Sequence, residues 1–159
     1  MPSITIYTDG SAKGNPGKGG YGVVMISGSY RKEISEGFRL TTNNRMELLA
    51  VIIALEKVKK PESDITIYSD SKYVVDAVKK NWVFNWQKTN FKNKKNPDLW
   101  IRFLKTYKKH NVSFVWIKGH ANNIENEYCD SLAVKAAESK VLKKDNWYEK
   151  QTNNPSLFF

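Results

Sequence analysis

The sequence predicts an α/β domain built on a mixed sheet, and three observations carry that expectation. First, Ile4-Thr5-Ile6-Tyr7-Thr8-Asp9 is echoed further along by Ile65-Thr66-Ile67-Tyr68-Ser69-Asp70. Both are alternating runs rich in β-branched residues, the pattern of strands. Second, the first run is followed by two more strand-like segments, Tyr21 to Ile26 and Tyr30 to Leu40, joined by the tight turn Gly28-Ser29. These make an antiparallel meander. Third, a helical pattern from Arg45 to Lys59 separates the meander from the echoed run. Strand, helix and a second parallel strand form a βαβ unit, right-handed by default.

The side-chain period of two places Thr5, Tyr7 and Asp9 on one face, with Thr66, Tyr68 and Asp70 on the corresponding face. If the echoed strands lie side by side, both aspartates leave the sheet at its carboxyl end, where sites form in open α/β sheets. An aspartate can also simply start a turn, but the near-repeat favours a shared site. The stretch Asp9 to Gly20 is glycine-rich. It lacks the spacing and following helix of a phosphate-binding P-loop.

Thr41, Thr42, Asn43 and Asn44 offer N-caps for the helix starting at Arg45. Its wide apolar stripe suits a helix laid on a sheet. Glu47 shares that stripe with Val51, Ala54 and Val58, and a carboxylate on a buried face needs a reason. One reason is a capping box with Asn44; a functional site is the other. Pro61 to Asp64 breaks the helix. Ser71 to Lys80 reads as a short helix, and Asp98 can cap another from Leu99 to Lys109. Val112 to Lys118 alternates as the last strand. Gly119 to Glu125 is a loop containing His120, and Asn123 or Asn126 caps a final helix to about Ser139. On that helix Asp130 shares a face with Ala133, Val134 and Ala137; its alternative reading is an acid complementing the helix dipole.

Net charge is +10, from 26 basic and 16 acidic residues among 159. The imbalance is local: Lys72 to Lys118 holds 12 Lys/Arg against two acids, Asp76 and Asp98. Within it, Lys88, Lys92, Lys94 and Lys95 lie among Trp82, Trp86 and Phe91. Lysines neutralise phosphates and aromatics stack on bases or sugars, so the block points to nucleic acid. The tryptophans can alternatively anchor a helical protrusion, and at least one is expected to do so. The lone Cys129 excludes an internal disulfide and disfavours a zinc cluster. The longest apolar run, Leu48 to Leu55, is too short to span a membrane. No signal peptide precedes the first strand. These features give the expectation of a cytoplasmic monomer with no membrane attachment.

Asp9, Glu47, Asp70 and Asp130 thus stand as four carboxylates, two at strand ends and two on inward helix faces. Grouped without compensation they would repel, and divalent cations with a taste for hard oxygen ligands, Mg²⁺ or Mn²⁺, resolve that. Two such ions can activate water and stabilise a phosphodiester's leaving oxygen. His120 could shuttle protons or assist product release.

Four passages resemble type 1 ribonuclease H of the bacterial kind. They are Tyr7-Thr8-Asp9-Gly10-Ser11 through Gly14-Asn15-Pro16-Gly17 to Gly19-Gly20-Tyr21-Gly22; Thr41-Thr42-Asn43-Asn44-Arg45-Met46-Glu47-Leu48; Ser69-Asp70-Ser71-Lys72-Tyr73-Val74; and Lys118-Gly119-His120-Ala121 with Glu125-Asn126-Glu127 and Cys129-Asp130. The resemblance implies a ribonuclease H-like mixed five-stranded sheet, order 3-2-1-4-5, with flanking helices and a basic protrusion at about residues 81–98. It implies two-metal-ion, Mg²⁺-dependent hydrolysis of the RNA strand of an RNA–DNA hybrid, leaving 5′-phosphate and 3′-hydroxyl ends. Asp9, Glu47, Asp70 and Asp130 then correspond to metal ligands, and His120 to the proton-transfer or product-release residue. Asn15, Asn43 and Asn44 match minor-groove positions; Thr42 and Asn85 match positions on a DNA phosphate. Trp82, Lys88, Lys92, Lys94 and Lys95 belong to the substrate-binding protrusion. A DNA-processing nuclease of the same superfamily and a non-catalytic hybrid-binding module are the alternatives; the first is disfavoured by the glycine-rich and Thr-Thr-Asn-Asn motifs, the second by the complete carboxylate set.

The phosphate-site arginine of some relatives is replaced here by Leu40, with Arg39 one place earlier. A common glycine is replaced by Asn122, which can still adopt a left-handed conformation. Residues 1–139 are expected to form the catalytic domain. Residues 140–159, polar and without periodicity, are expected to form a mostly mobile tail. Its Ser156-Leu157-Phe158 faintly resembles the end of a sliding-clamp peptide, without the usual glutamine.

Overall fold

A computed structural model describes residues 3–119 and 122–153. Its five-stranded sheet has the order β3-β2-β1-β4-β5. The strands are β1 (Ser3–Lys13), β2 (Gly17–Ser27), β3 (Tyr30–Thr41), β4 (Asp64–Ser69) and β5 (Asn111–Trp116). β1 and β2 pair antiparallel, as do β2 and β3; β4 runs parallel to both β1 and β5. The echo seen in the sequence is the register itself: Ile4 pairs with Ile65, Thr5 with Thr66, Ile6 with Ile67 and Tyr7 with Tyr68.

Helix α1 (Asn43–Lys57) is capped by the Thr42 side chain, which accepts from Arg45 N at 3.2 Å. It is buried on nearly every side, between β1 and α4 (Pro97–Tyr107). A helix apolar all round belongs in a core, and each of its fully buried Leu, Ile and Val side chains stabilises the fold by about 1.5–3 kcal/mol. Helix α5 (Ile124–Glu138) lies against β1, β2 and β3. Gly22 makes its approach possible, because a Cβ there would sit 2.3 Å from the Cys129 carbonyl oxygen. Helices α2 (Lys72–Lys79) and α3 (Trp82–Lys88) follow β4 and contact each other. Trp86 packs edge-on against the fully buried Trp100, so one protrusion tryptophan is a core anchor as expected.

Two expectations need correction. Asp98 does not cap α4: that cap position is Asn96, in a left-handed conformation, with Pro97 opening the helix. Asp98 instead receives two hydrogen bonds from Arg45, at 2.9 and 2.7 Å. The segment after residue 139 is also not a loose tail as far as residue 153. Lys143 bridges to Phe38 of β3, and helix α6 (Asn146–Thr152) follows. Buried Asp145 caps α6, accepts from Thr41 Oγ1 at 2.8 Å and takes two bonds from Arg45. Arg39 pairs with buried Glu149. Seven residues of α6 are too few for periodicity to show, and its anchors are ion pairs with distant residues. The clamp-like residues 155–159 lie outside the described residues. No helix among the described residues is long and apolar enough to cross a membrane.

Candidate active site

The in-register strands carry their aspartates to one end of the sheet. The Tyr7 and Tyr68 rings stack at 4.9 Å with planes 15° apart, and Asp9 and Asp70 stand two residues beyond. Asp9 is still within β1 and only 6% exposed. Asp70 sits between β4 and α2 in a hydrogen-bonded turn. There Ser71 N donates to Ser69 Oγ, Ser71 Oγ caps α2, and Trp116 Nε1 donates to the Asp70 carbonyl at 3.2 Å.

Glu47 reaches the same end from α1. Thr42 being the cap, the capping-box reading of Glu47 with Asn44 fails. Gly10 allows α1 this close, since a Cβ there would lie 2.4 Å from Glu47 N. Carboxylate oxygens of Asp9, Glu47 and Asp70 all lie within 4.8 Å of one another. Asp130, arriving from α5 on the other side, shares with them a cleft of about 430 Å³, also lined by Asn43, Asn44 and Lys72.

Burial and mutual repulsion set the electrostatics of the cluster. Burial, then the Asp70 charge, push the Asp9 carboxyl up to about 8. Burial, then Asp9 and Asp70, hold Glu47 well above the usual carboxylate range. Glu47 Oε2 is buried with no hydrogen-bond partner among the described residues. An orphaned buried carboxylate oxygen beside two more carboxylates fits a hard divalent cation such as Mg²⁺.

The other expected site residues divide into groups. Asn43 and Asn15 tie the glycine-rich loop to α1: Ala12 N donates to Asn43 Oδ1, and Asn43 N to Asn15 Oδ1 at 3.1 Å. Asn44 is exposed on the cleft rim. Thr42 spends its hydroxyl as the helix cap. Trp82, Asn85 and Lys88 lie exposed on α3, and Lys92, Lys94 and Lys95 on the turns after it. None of these six lines the carboxylate cleft. Lys80 sits over the Trp82 ring at 5.1 Å, and Lys94 over Trp86 at 5.3 Å. Arg39 is engaged by Glu149, beside Leu40. Asn122 has φ 60°, the left-handed conformation expected of it. His120 lies outside the described residues.

Asn126, which the sequence offers as a possible cap and as part of the fourth family passage but not as a site residue, is a cleft residue. Asn123 is the cap, accepting from Asn126 N at 2.9 Å. The Asn126 side chain is buried on the cleft wall, and its Nδ2 has no partner among the described residues. The signal available was its position one turn before Asp130 on the same helix.

A family model described as RNase H matches residues 1–138. The chain belongs to the RNase H family. It is 53% identical over 151 residues to a protein named Ribonuclease H from Trichodesmium erythraeum (strain IMS101), covering 92% of this chain and 96% of that one. Among solved structures, LC9-RNase H1, titled a type 1 RNase H with the type 2 active-site motif, superposes with a TM-score of 0.80 at 30% identity. That match covers 98% of this chain and 83% of the other. LC11-RNase H1, solved in complex with an RNA/DNA hybrid, gives a TM-score of 0.63 at 29% identity, covering 85% and 96%. The RNase H fold and its strand order are therefore those the sequence resemblance implied.

Proposed function

We propose that this RNase H-family protein is an endonuclease that hydrolyses the RNA strand of RNA–DNA hybrids, leaving 5′-phosphate and 3′-hydroxyl ends. The observation that carries the reading is the convergence of Asp9, Glu47 and Asp70 oxygens within 4.8 Å. Asp9, Glu47, Asp70 and Asp130 would hold Mg²⁺, with Mn²⁺ as a substitute. When bound, the ions supply the positive charge that activates water and stabilises the leaving oxygen of the phosphodiester. The protein's own part is positioning. β1 and β4 fix two carboxylates in register, and α1 and α5 bring one from each side. Burial keeps the cluster from relaxing into water. His120 is assigned proton transfer or product release. Asn15, Asn43 and Asn44 face the minor groove, where the 2′-hydroxyl distinguishes the strand to be cut. Thr42 and Asn85 contact the DNA strand. The enzyme works as a cytoplasmic monomer; its single thiol, Cys129, is buried, which suits a reducing compartment.

The test is cleavage of a hybrid with either strand labelled, in Mg²⁺ and in EDTA, beside duplex DNA and junction substrates. RNA-strand cleavage that needs the metal is expected; binding without turnover, or cleavage of DNA junctions, would overturn the reading. The protrusion carries a separate prediction. Changing Lys88, Lys92, Lys94 and Lys95 together to Ala should raise KM. It should also reduce the slope of log K against log salt by about 0.9 for each lysine on a phosphate. An unchanged slope would show that this segment touches no phosphate.

A further inference from the structure

Beside the carboxylate cleft lies a second one, of about 410 Å³, and α6 forms one of its walls. Asn44 lines both clefts, so they adjoin across it. Asn15 and Thr42 line the second cleft, with Lys95 from the protrusion. Trp147, Tyr148 and Gln151 of α6 complete it. The lining combines amides, a hydroxyl and one cation with the flat apolar surfaces of Pro16, Trp147 and Tyr148. Hydrogen-bonding groups and a cation serve phosphate, and flat rings serve sugars. The α6 wall is firmly held. Asp145 at its start bonds Arg45 and Thr41, Glu149 pairs with Arg39, and the Arg45 guanidinium stacks on Trp147 at 4.9 Å.

We infer that Tyr148 and Gln151 of α6 contact the sugar–phosphate backbone of the uncut strand, so that the C-terminal helix is part of the substrate-binding face. This rests on the proposed hybrid cleavage. With the cut strand over the carboxylates and Asn44 at the groove between, the second cleft is where the opposite backbone passes. Gln151 is partly exposed and its side chain makes no hydrogen bond or ion pair among the described residues, so a charge can be introduced there without disturbing the ion pairs that dock α6.

The experiment compares wild type with Gln151→Lys, Gln151→Glu and Tyr148→Phe, with Asn146→Glu, exposed on α6 away from the cleft, as the control. KM and kcat are measured on a long hybrid and on one too short to reach the second cleft, with melting temperatures alongside. Expected on the long hybrid is a several-fold higher KM for Gln151→Glu, a lower KM for Gln151→Lys and a smaller rise for Tyr148→Phe. On the short hybrid all three should match wild type, with kcat and melting temperature unchanged throughout. Opposite effects of opposite charges are a signature that a merely structural α6 would not give. Equal KM for the two Gln151 variants, or an Asn146→Glu effect as large as that of Gln151→Glu, would overturn the inference. Failure of the wild type to cleave any hybrid would instead overturn the proposed function.

Discussion

Asp70→Asn is expected to abolish hybrid cleavage and, in metal-free protein, to raise the melting temperature. A neutral amide cannot replace a carboxylate in holding divalent cations, so the activity loss should be at least on the order of 10³-fold, about 4 kcal/mol of transition-state stabilisation. The gain in stability follows from the cluster's electrostatics. Asp9 titrates at about 8 in the folded protein against an ordinary 3.8, through burial first and the Asp70 charge second. Between those values the folded state keeps a proton that the unfolded chain releases. Its contribution to stability is complete below the unfolded value and is lost as pH rises toward 8. Metal-free wild type should therefore melt at progressively lower temperature from pH 4 to 8. Removing the Asp70 charge flattens that decline and should give about 1–2 kcal/mol at pH 8, roughly 2–8 °C. Thermal melts in EDTA across this range, with cleavage assays in Mg²⁺, check both halves. Near-normal activity in the folded variant would sink the site assignment, and a lower melting temperature at pH 8 would sink the electrostatic account.

The convergence of Asp9, Glu47 and Asp70 on which both halves of that prediction rest was legible in the chain. Asp9 and Asp70 end two in-register copies of one strand pattern, and Glu47 breaks the apolar stripe of a helix. A local rule was broken in each case, and a functional site is the usual reason. The register was legible for the same cause: identical alternation on neighbouring strands leaves one pairing that buries Ile6 and Ile67 together. What could not be read was held by long-range polar contacts. Arg45 looked like the first residue of a helix, and Asp98 like a cap. Nothing in the spacing of Arg45, Asp98 and Asp145 announces that they meet. The same blindness hid α6, whose seven residues show no period and whose contacts with β3 and α1 lie about a hundred residues back along the chain.

Arg45→Met is accordingly expected to be the most destabilising single change outside the apolar core. The guanidinium is 2% exposed and lies in the first turn of α1, where the helix dipole disfavours a cation. It is tolerated because Asp98 and Asp145 each accept two bonds from it. Methionine fills similar volume, so the loss is chiefly electrostatic: two carboxylates remain, Asp145 buried, without their cation. Breaking such a set costs about 3–5 kcal/mol, or roughly 6–20 °C in melting temperature for a chain of this size. Adding Asp145→Asn to Arg45→Met removes the stranded buried charge while keeping a side chain able to cap α6. The double variant should therefore be more stable than Arg45→Met alone by about 1–2 kcal/mol. Additive losses in that cycle would mean that Arg45 acts by packing and not by neutralising Asp145. The consequence reaches substrate binding, because Arg45 is two residues from Glu47 and stacks on Trp147. One buried cation thus fixes both the helix that presents Glu47 and the helix that walls the second cleft. Under conditions where Arg45→Met remains folded, its KM on long hybrids should rise more than its KM on short ones.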